Sequence, residues 1–142
     1  MKEKRVAVYW RDSREGFIPS DKYIREEEEK INSHSSMTCA GTYIDHEGEQ
    51  SSFEKLMEAA QSGEVDLVEA FSMYGFADSA EKLYSRINGL GKHHVKIHFK
   101  WEDITTGTKE WYRCRDFMVS HLRLVIKETE IERAKREMRI CG

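Results

Sequence analysis

The chain has 142 residues, enough for one domain with its own hydrophobic core, and 35% of them are charged. Its formal net charge of −3 argues against a strongly basic nucleic-acid-binding protein, and no apolar run approaches the length of a membrane span. The amino terminus lacks the apolar stretch of a secretory signal, and the three cysteines form no CxxC pair. We therefore expect a cytoplasmic protein that does not associate with a membrane.

The charge is distributed unevenly along the chain. Residues 1–108 carry 14 basic and 20 acidic side chains, a balance of −6, whereas residues 109–142 carry 9 and 6, a balance of +3. If the chain binds phosphate groups, the carboxyl-terminal segment is the more favourable place.

Residues 5–10 predict a buried first strand, because the residues after Arg5 are mostly β-branched or aromatic and carry no charge. The strand ends at a polar loop that begins at Arg11 and contains Ser13. In open α/β sheets, ligands bind at the carboxyl ends of the strands. A hydroxyl and a guanidinium at such an edge suit nucleophilic attack on a phosphodiester, although a serine there is also common in ordinary turns.

Helical and strand patterns then alternate along the chain. The helices are predicted over 20–33, over 51–61 with a Ser51–Glu54 capping box and Gly63 beyond its end, and over 79–90. The further strands are predicted over 40–44, 65–71 and 95–99, and residues 104–109 are predicted to form a loop. This alternation predicts an α/β fold with a mainly parallel sheet of four to five strands, covered by helices.

A long helical pattern runs from about residue 110 nearly to the end of the chain. We divide the chain accordingly into an α/β domain, 1–108, and a carboxyl-terminal helix, 109–142. Such a helix is longer than one small domain can cover, so its distal half should project or pair with another helix. Trp101 and Trp111 flank its start, and we expect both to pack it onto the sheet.

Four polar residues at predicted strand ends should converge on one edge of the sheet: Arg11, Ser13, Asp45 and Ser72. His94 and His98 share a face of the fourth strand, but no cysteine or carboxylate stands near them at ligand spacing, so we expect no metal site.

The order of these segments resembles the serine recombinases, the resolvase and invertase family. The stretch Tyr9-Trp10-Arg11-Asp12-Ser13 is similar to the Tyr-x-Arg-x-Ser signature of the family. Further similarities lie in the strand that ends at Asp45, the helix from Ser52, the strands entered at Gly63 and Gly91, and Glu132-Arg133 with Arg139. The resemblance covers essentially the whole chain.

The resemblance implies a site-specific recombinase catalytic domain whose long helix mediates dimer contacts and lies across DNA. Ser13 would attack a DNA phosphate to give a phosphoserine linkage, without a metal or other cofactor, and Arg11 would bind that phosphate. Asp45 and Ser72 would support them. The implied partners are DNA, contacted by Arg133, Arg136 and Arg139, and further copies of the chain in a homodimer or higher homo-oligomer.

Several positions depart from the family pattern: the Gln expected after the nucleophile is absent, and Glu49-Gln50 replaces a Ser-Gly after the second strand. Phe71 stands where the family has a lysine, and Gly75 and Asp78 stand where it has two phosphate-binding arginines. Loss of one charged transition-state stabiliser typically lowers the rate by ~10²-fold, and Asp78 adds repulsion. Two functions therefore remain open. The chain is a recombinase catalytic domain with impaired chemistry, or a catalytically inactive interaction or regulatory module that acts through its long helix.

Overall fold

A computed structural model of the chain describes residues 3–11, 20–46 and 48–141. Ser13 and the rest of segment 12–19 lie outside the described residues, as do several side chains inside the helices. The described part of the chain contains these elements: β1 (Lys4–Arg11), α1 (Asp21–Ser33), β2 (Met37–Asp45), α2 (Ser51–Gln61), β3 (Leu67–Ala70), α3 (Met73–Phe76), α4 (Ala80–Gly91), β4 (Lys96–Phe99), β5 (Ile104–Thr105) and α5 (Lys109–Cys141).

The strands form one sheet in the order β2-β1-β3-β4-β5. The first four strands are parallel, and β5 runs antiparallel to β4. The predicted α/β fold with a mainly parallel sheet is thereby confirmed. The prediction of a loop over 104–109 is wrong at its start, because Ile104 and Thr105 form β5. Thr106 extends this pairing: its hydroxyl accepts from the Ile97 amide and its own amide donates to the Ile97 carbonyl, both at 2.9 Å.

The two faces of the sheet are covered by different helices. Ala7 and Tyr9 of β1 belong to the main core, which they form with buried residues of α2, α4 and the neighbouring strands, among them Leu56 and Leu83. Side chains alternate along a strand, so Trp10 belongs to the opposite face. There it contacts Tyr23 of α1, with ring centroids 6.0 Å apart. Helix α1 therefore covers the face opposite the main core.

The structure confirms the predicted amino-terminal caps of α1 and α4 but not that of α2. Ser20 and Ser79 cap α1 and α4, as predicted, because each hydroxyl accepts a hydrogen bond from the backbone amide three residues later. The prediction of a Ser51–Glu54 capping box is wrong, because the cap residue of α2 is Gln50, whose side chain makes no cap hydrogen bond. The Asp45 carboxylate supplies the acceptor oxygens instead, because Asp45 ends β2 next to the amino-terminal amides of α2, which have no partner within the helix.

Helix α5 has 33 residues, about 50 Å at 1.5 Å per residue. Trp111 is buried against Phe99, and Cys114 and Met118 pack against the same core, but every described side chain after Met118 is exposed. The expected role of Trp111 is confirmed. That of Trp101 is wrong, because its side chain lies in the turn after β4 and is 73% exposed. None of the described helices combines the length and apolar character needed to cross a membrane.

Candidate functional site

The carboxyl ends of the four parallel strands meet at one edge of the sheet, which we call the rim. Arg11 at the end of β1 pairs in register with Asp45 at the end of β2. Ser72 follows β3, and the Lys100 amide at the end of β4 donates to the Ala70 carbonyl at 2.8 Å. The structure thus places Arg11, Asp45 and Ser72 at the rim, as predicted, whereas Ser13 falls in the segment outside the described residues.

The Arg11 side chain is half-buried and extends toward the segment that follows β3. Its Nη1 donates to the Gly75 carbonyl at 3.5 Å, a long distance for a hydrogen bond. A guanidinium held so weakly can turn toward a phosphate that approaches the rim. Arg11 therefore suits the anion-binding role that the sequence resemblance assigns to it.

Asp45 is fully buried, and three donors converge on its carboxylate. The Ser52 amide donates to Oδ1 at 2.8 Å, the Phe53 amide donates to Oδ2 at 2.9 Å, and the Tyr9 hydroxyl donates to Oδ2 at 2.8 Å. Two of these bonds cap α2, and the third joins β2 to β1. These contacts alone explain why a carboxylate stands at this position.

Arg86 extends this network into the core. Its Nη1 donates to the Phe76 carbonyl at 2.6 Å and to the Tyr9 hydroxyl at 3.3 Å, and its guanidinium lies 4.1 Å from the Phe53 ring centroid. Burial raises the pKa of Tyr9 to about 12, although the nearby Arg86 opposes that rise. Tyr9 therefore keeps its proton at neutral pH and acts as a donor to Asp45. The network fixes the end of β1, from which the chain enters the segment that holds Ser13.

Sequence analysis missed Arg86, although a signal was present. Leu83, Arg86, Ile87 and Leu90 follow the spacing of one helical face, so an arginine stood on the buried side of the predicted helix. A buried guanidinium needs acceptors and aromatic neighbours. The sequence could have indicated such a network without identifying its partners.

Ser72 contacts a carboxylate that the sequence analysis did not single out. Its hydroxyl donates to Glu102 Oε1 at 2.6 Å, and the Met73 amide donates to the same oxygen at 3.2 Å. Glu102 belongs to the turn after β4, so it reaches the rim from the far side of β3. A negative charge beside Ser72 disfavours the approach of a phosphate at that point.

Of the two positions that replace the family arginines, Gly75 lies within α3 and Asp78 lies two residues after its end. Gly75 offers its carbonyl to Arg11, and no described atom lies within 4 Å of the place a Cβ would take there. Asp78 is exposed and forms an ion pair with Lys82 at 3.1 Å. Neither position supplies a cation, but Gly75 has room for a side chain.

A second polar cluster lies on the face that α1 partly covers. His98 Nδ1 lies 2.9 Å from Glu69 Oε2, and its Nε2 lies 3.0 Å from Asp103 Oδ1. Burial alone would lower the pKa of His98, but the hydrogen bonds to Asp103 and Glu69 together raise it. Near this cluster, Lys100 pairs with the buried Glu27 at 2.9 Å. Within the described part of the chain, no group of three or more histidine, cysteine or acidic side chains could hold a metal ion.

The arginines at 133, 136 and 139 lie in the last turns of α5, beyond the contacts of that helix with the domain. Their side chains are outside the described part of the structure, so their contact with DNA stays a prediction.

Solved structures define the class of protein to which this fold corresponds. The N-terminal catalytic domain of TP901-1 integrase is similar with a TM-score of 0.61 and 18% identity, over 95% of this chain and 98% of that one. A resolvase family site-specific recombinase from Streptococcus pneumoniae is similar with a TM-score of 0.57 and 17% identity, over 98% of this chain and 96% of that one. The sequence matches no protein-family model and no curated protein. The chain has the catalytic-domain fold of serine recombinases, as its sequence motifs predicted.

Proposed function

We propose that this chain acts as the catalytic domain of a site-specific serine recombinase, which cleaves and rejoins DNA through Ser13 at a reduced rate. The observation that carries the proposal is the position of Arg11. In a resolvase-like fold, it ends β1, an interior strand of the sheet, at the rim, directly before the segment that contains Ser13. In open α/β sheets, ligands bind at the carboxyl ends of the strands.

The proposed reaction exchanges one phosphoester for another. A bond forms between Ser13 Oγ and phosphorus, and the bond from phosphorus to a deoxyribose oxygen breaks. The serine proton is given up, and the leaving sugar oxygen takes a proton to become a hydroxyl. Arg11 stabilises the charge on the phosphoryl oxygens. Because the phosphoserine bond conserves the phosphodiester, the reverse attack by a sugar hydroxyl rejoins the strand.

The rate should be low because the described rim is poor in cations that are free for phosphate. Lys82 pairs with Asp78, and Lys100 pairs with Glu27. The Glu102 carboxylate accepts a hydrogen bond from Ser72 and adds a negative charge to the rim. Each missing stabiliser of a transferring phosphoryl group typically lowers the rate by ~10²-fold or more.

The proposed partners are DNA and further copies of the chain. Four exposed apolar residues recur every seven positions on α5: Phe117, Leu124, Ile131 and Met138. A seven-residue apolar repeat is typical of helices that pair with other helices. We assign this stripe to a homodimer or higher homo-oligomer, and Arg133, Arg136 and Arg139 to the DNA backbone.

The second candidate is a catalytically inactive module that uses the same fold and helix for interaction or regulation. The contact between Glu102 and Ser72 favours it, because a fixed carboxylate at the rim repels a phosphate. Asp78, which stands at a family arginine position, supplies a carboxylate instead of a cation.

Trapping of a covalent adduct separates the two functions. The full chain is incubated with supercoiled DNA that carries the genomic sequence flanking its gene, then quenched in denaturant, and protein-linked DNA is measured. We expect a low adduct yield from the wild-type chain and from the control Ser33→Ala, an exposed serine at the end of α1. Ser13→Ala should give none. DNA binding without any adduct would reject the recombinase activity and leave the inactive module.

A further inference from the structure

Four aromatic side chains form a continuous row along the rim. In order, Tyr23 of α1 contacts Trp10 of β1, Trp10 stacks on Phe71 after β3, and Phe71 contacts Trp101 in the turn after β4. Successive ring centroids are 6.0, 6.2 and 6.0 Å apart. We call these four residues the aromatic row.

The aromatic row becomes more exposed from one end to the other. Tyr23 and Trp10 are half-buried, Phe71 is 46% exposed, and Trp101 is 73% exposed. The Trp101 ring is tilted by 42° from that of Phe71, so the two rings are not stacked face to face. Burial of such apolar rings is favourable, so an exposed pair at a functional edge indicates a binding surface.

Basic residues are interleaved with the aromatic row in the sequence. Lys22 precedes Tyr23, Arg11 follows Trp10, and Lys100, which also pairs with Glu27, precedes Trp101. The two carboxylates that follow Trp101 in the sequence contact other partners, since Glu102 accepts from Ser72 and Asp103 contacts His98. Aromatic faces with alternating basic side chains are typical of surfaces that bind unpaired nucleotides.

We propose that the aromatic row binds an unpaired DNA base, which stacks on Trp101 and Phe71. This inference rests on the proposed function, because it takes DNA as the partner at the rim. It adds a site that the sequence resemblance does not imply, since Phe71 replaces the lysine of the family pattern. Bases freed from pairing at a cleaved strand are a suitable occupant, because every base has a stacking face.

The test compares two short oligonucleotides with the same number of phosphates, an oligothymidine and its abasic analogue. Affinities for the full chain are measured by fluorescence anisotropy of the labelled strands. We expect the wild-type chain to prefer the oligothymidine, and Trp101→Ala to weaken that binding about 5- to 100-fold, because stacking is worth ~1–3 kcal/mol per base. Trp101→Phe should restore most of it. Tyr112→Ala, which removes an exposed aromatic ring on α5 outside the row, should leave it unchanged.

The other outcomes identify which claim fails. Equal binding of both strands, unaffected by Trp101→Ala, would overturn the stacking site and leave DNA binding in place. No binding of either strand, nor of duplex DNA, would overturn the proposed function itself. If Trp101→Ala instead reduced self-association and left DNA binding unchanged, the row would be an interface between copies of the chain and the proposal would be wrong.

Discussion

At the scale of single residues, Asp45 shows how a motif position can serve the fold. The sequence resemblance gives it a supporting catalytic role, which stays a prediction. In the structure, its buried carboxylate caps α2 and accepts from Tyr9. Any catalytic contribution would add to this structural one.

Replacement of Asp45 by alanine should therefore destabilise the fold. The variant Asp45→Ala loses a helix cap, worth ~1 kcal/mol, and leaves buried donors unpaired at ~1–3 kcal/mol. We expect the free energy of unfolding, measured by urea denaturation, to fall by about 2–4 kcal/mol. Asp116→Ala, whose side chain is 89% exposed, should change it by less than about 0.5 kcal/mol. A loss below about 1 kcal/mol for Asp45→Ala would contradict this assignment.

The sequence was informative about residues at strand ends and uninformative about their partners. Arg11, Asp45 and Ser72 could be placed at one rim because a buried strand followed by a polar residue is a local pattern. Glu102 could not be placed at the rim from the sequence, because its contact with Ser72 joins positions 30 residues apart and depends on the conformation of the turn after β4. Long-range contacts of this kind leave no periodic signal in the chain.

At the scale of elements, the turn after β4 connects the rim to the second face of the sheet. It carries Trp101 to the aromatic row, Glu102 to Ser72, and Asp103 to His98. Asp103 adopts a positive φ of 50°, which a non-glycine residue rarely does without support. The bond to His98 supplies part of that support.

This turn should make stability depend on pH. The contacts with Asp103 and Glu69 raise the pKa of His98 in the folded chain. A raised histidine pKa stabilises the fold fully below the unfolded value of about 6.5, and that contribution is lost as pH rises through the folded pKa.

We therefore expect the wild-type chain to lose stability relative to His98→Gln as pH rises from about 6 to above the folded pKa. The difference should be about 0.2–1 kcal/mol, because Asp103 is exposed and its charge is screened by solvent. Urea denaturation at both pH values measures it, with His34→Gln as a surface control. An identical pH dependence in the wild-type chain and in His98→Gln would contradict the assignment.

Helix α5 gives a prediction about assembly. The stripe formed by Phe117, Leu124, Ile131 and Met138 is exposed in the single chain. The variant Ile131→Glu should weaken self-association by at least ~10-fold, because it places a charge in an apolar contact between helices. Tyr112→Glu is the matched control, since Tyr112 is also exposed but lies about 100° around the helix from Ile131. Sedimentation at several concentrations measures both, and a monomeric wild-type chain would refute the role of the stripe.

At the scale of the whole molecule, the alternation of strand and helix patterns was sufficient to predict the fold class. Parallel strands need helical crossovers, so the pattern restricts the topology strongly. The short strand β5 and the one-turn helix α3 were missed, since neither is long enough to show a period. Their positions depend on tertiary contacts such as the bond between Thr106 and Ile97.

The same molecule offers a gain-of-function prediction. Gly75 has space for a side chain among the described atoms, and Asp78 is exposed, so the double variant Gly75→Arg/Asp78→Arg should fold. It restores two cations at the rim, and we expect the yield of DNA adduct to rise about 10-fold or more. The double variant Glu29→Arg/Ser33→Arg, at two exposed positions of α1, controls for the same change in net charge. An equal rise in that control would show that charge alone is responsible.

The most direct test of the account is the position of the DNA phosphate on the chain. The adduct is digested with nuclease and trypsin, which cleaves after Arg11 and Arg14 and releases Ser13 in the peptide Asp12-Ser13-Arg14. Mass spectrometry then locates the nucleotide remnant. The account predicts that it lies on Ser13, weakly in the wild-type chain and strongly in Gly75→Arg/Asp78→Arg. A remnant on any other residue, or no adduct from either chain, would contradict it.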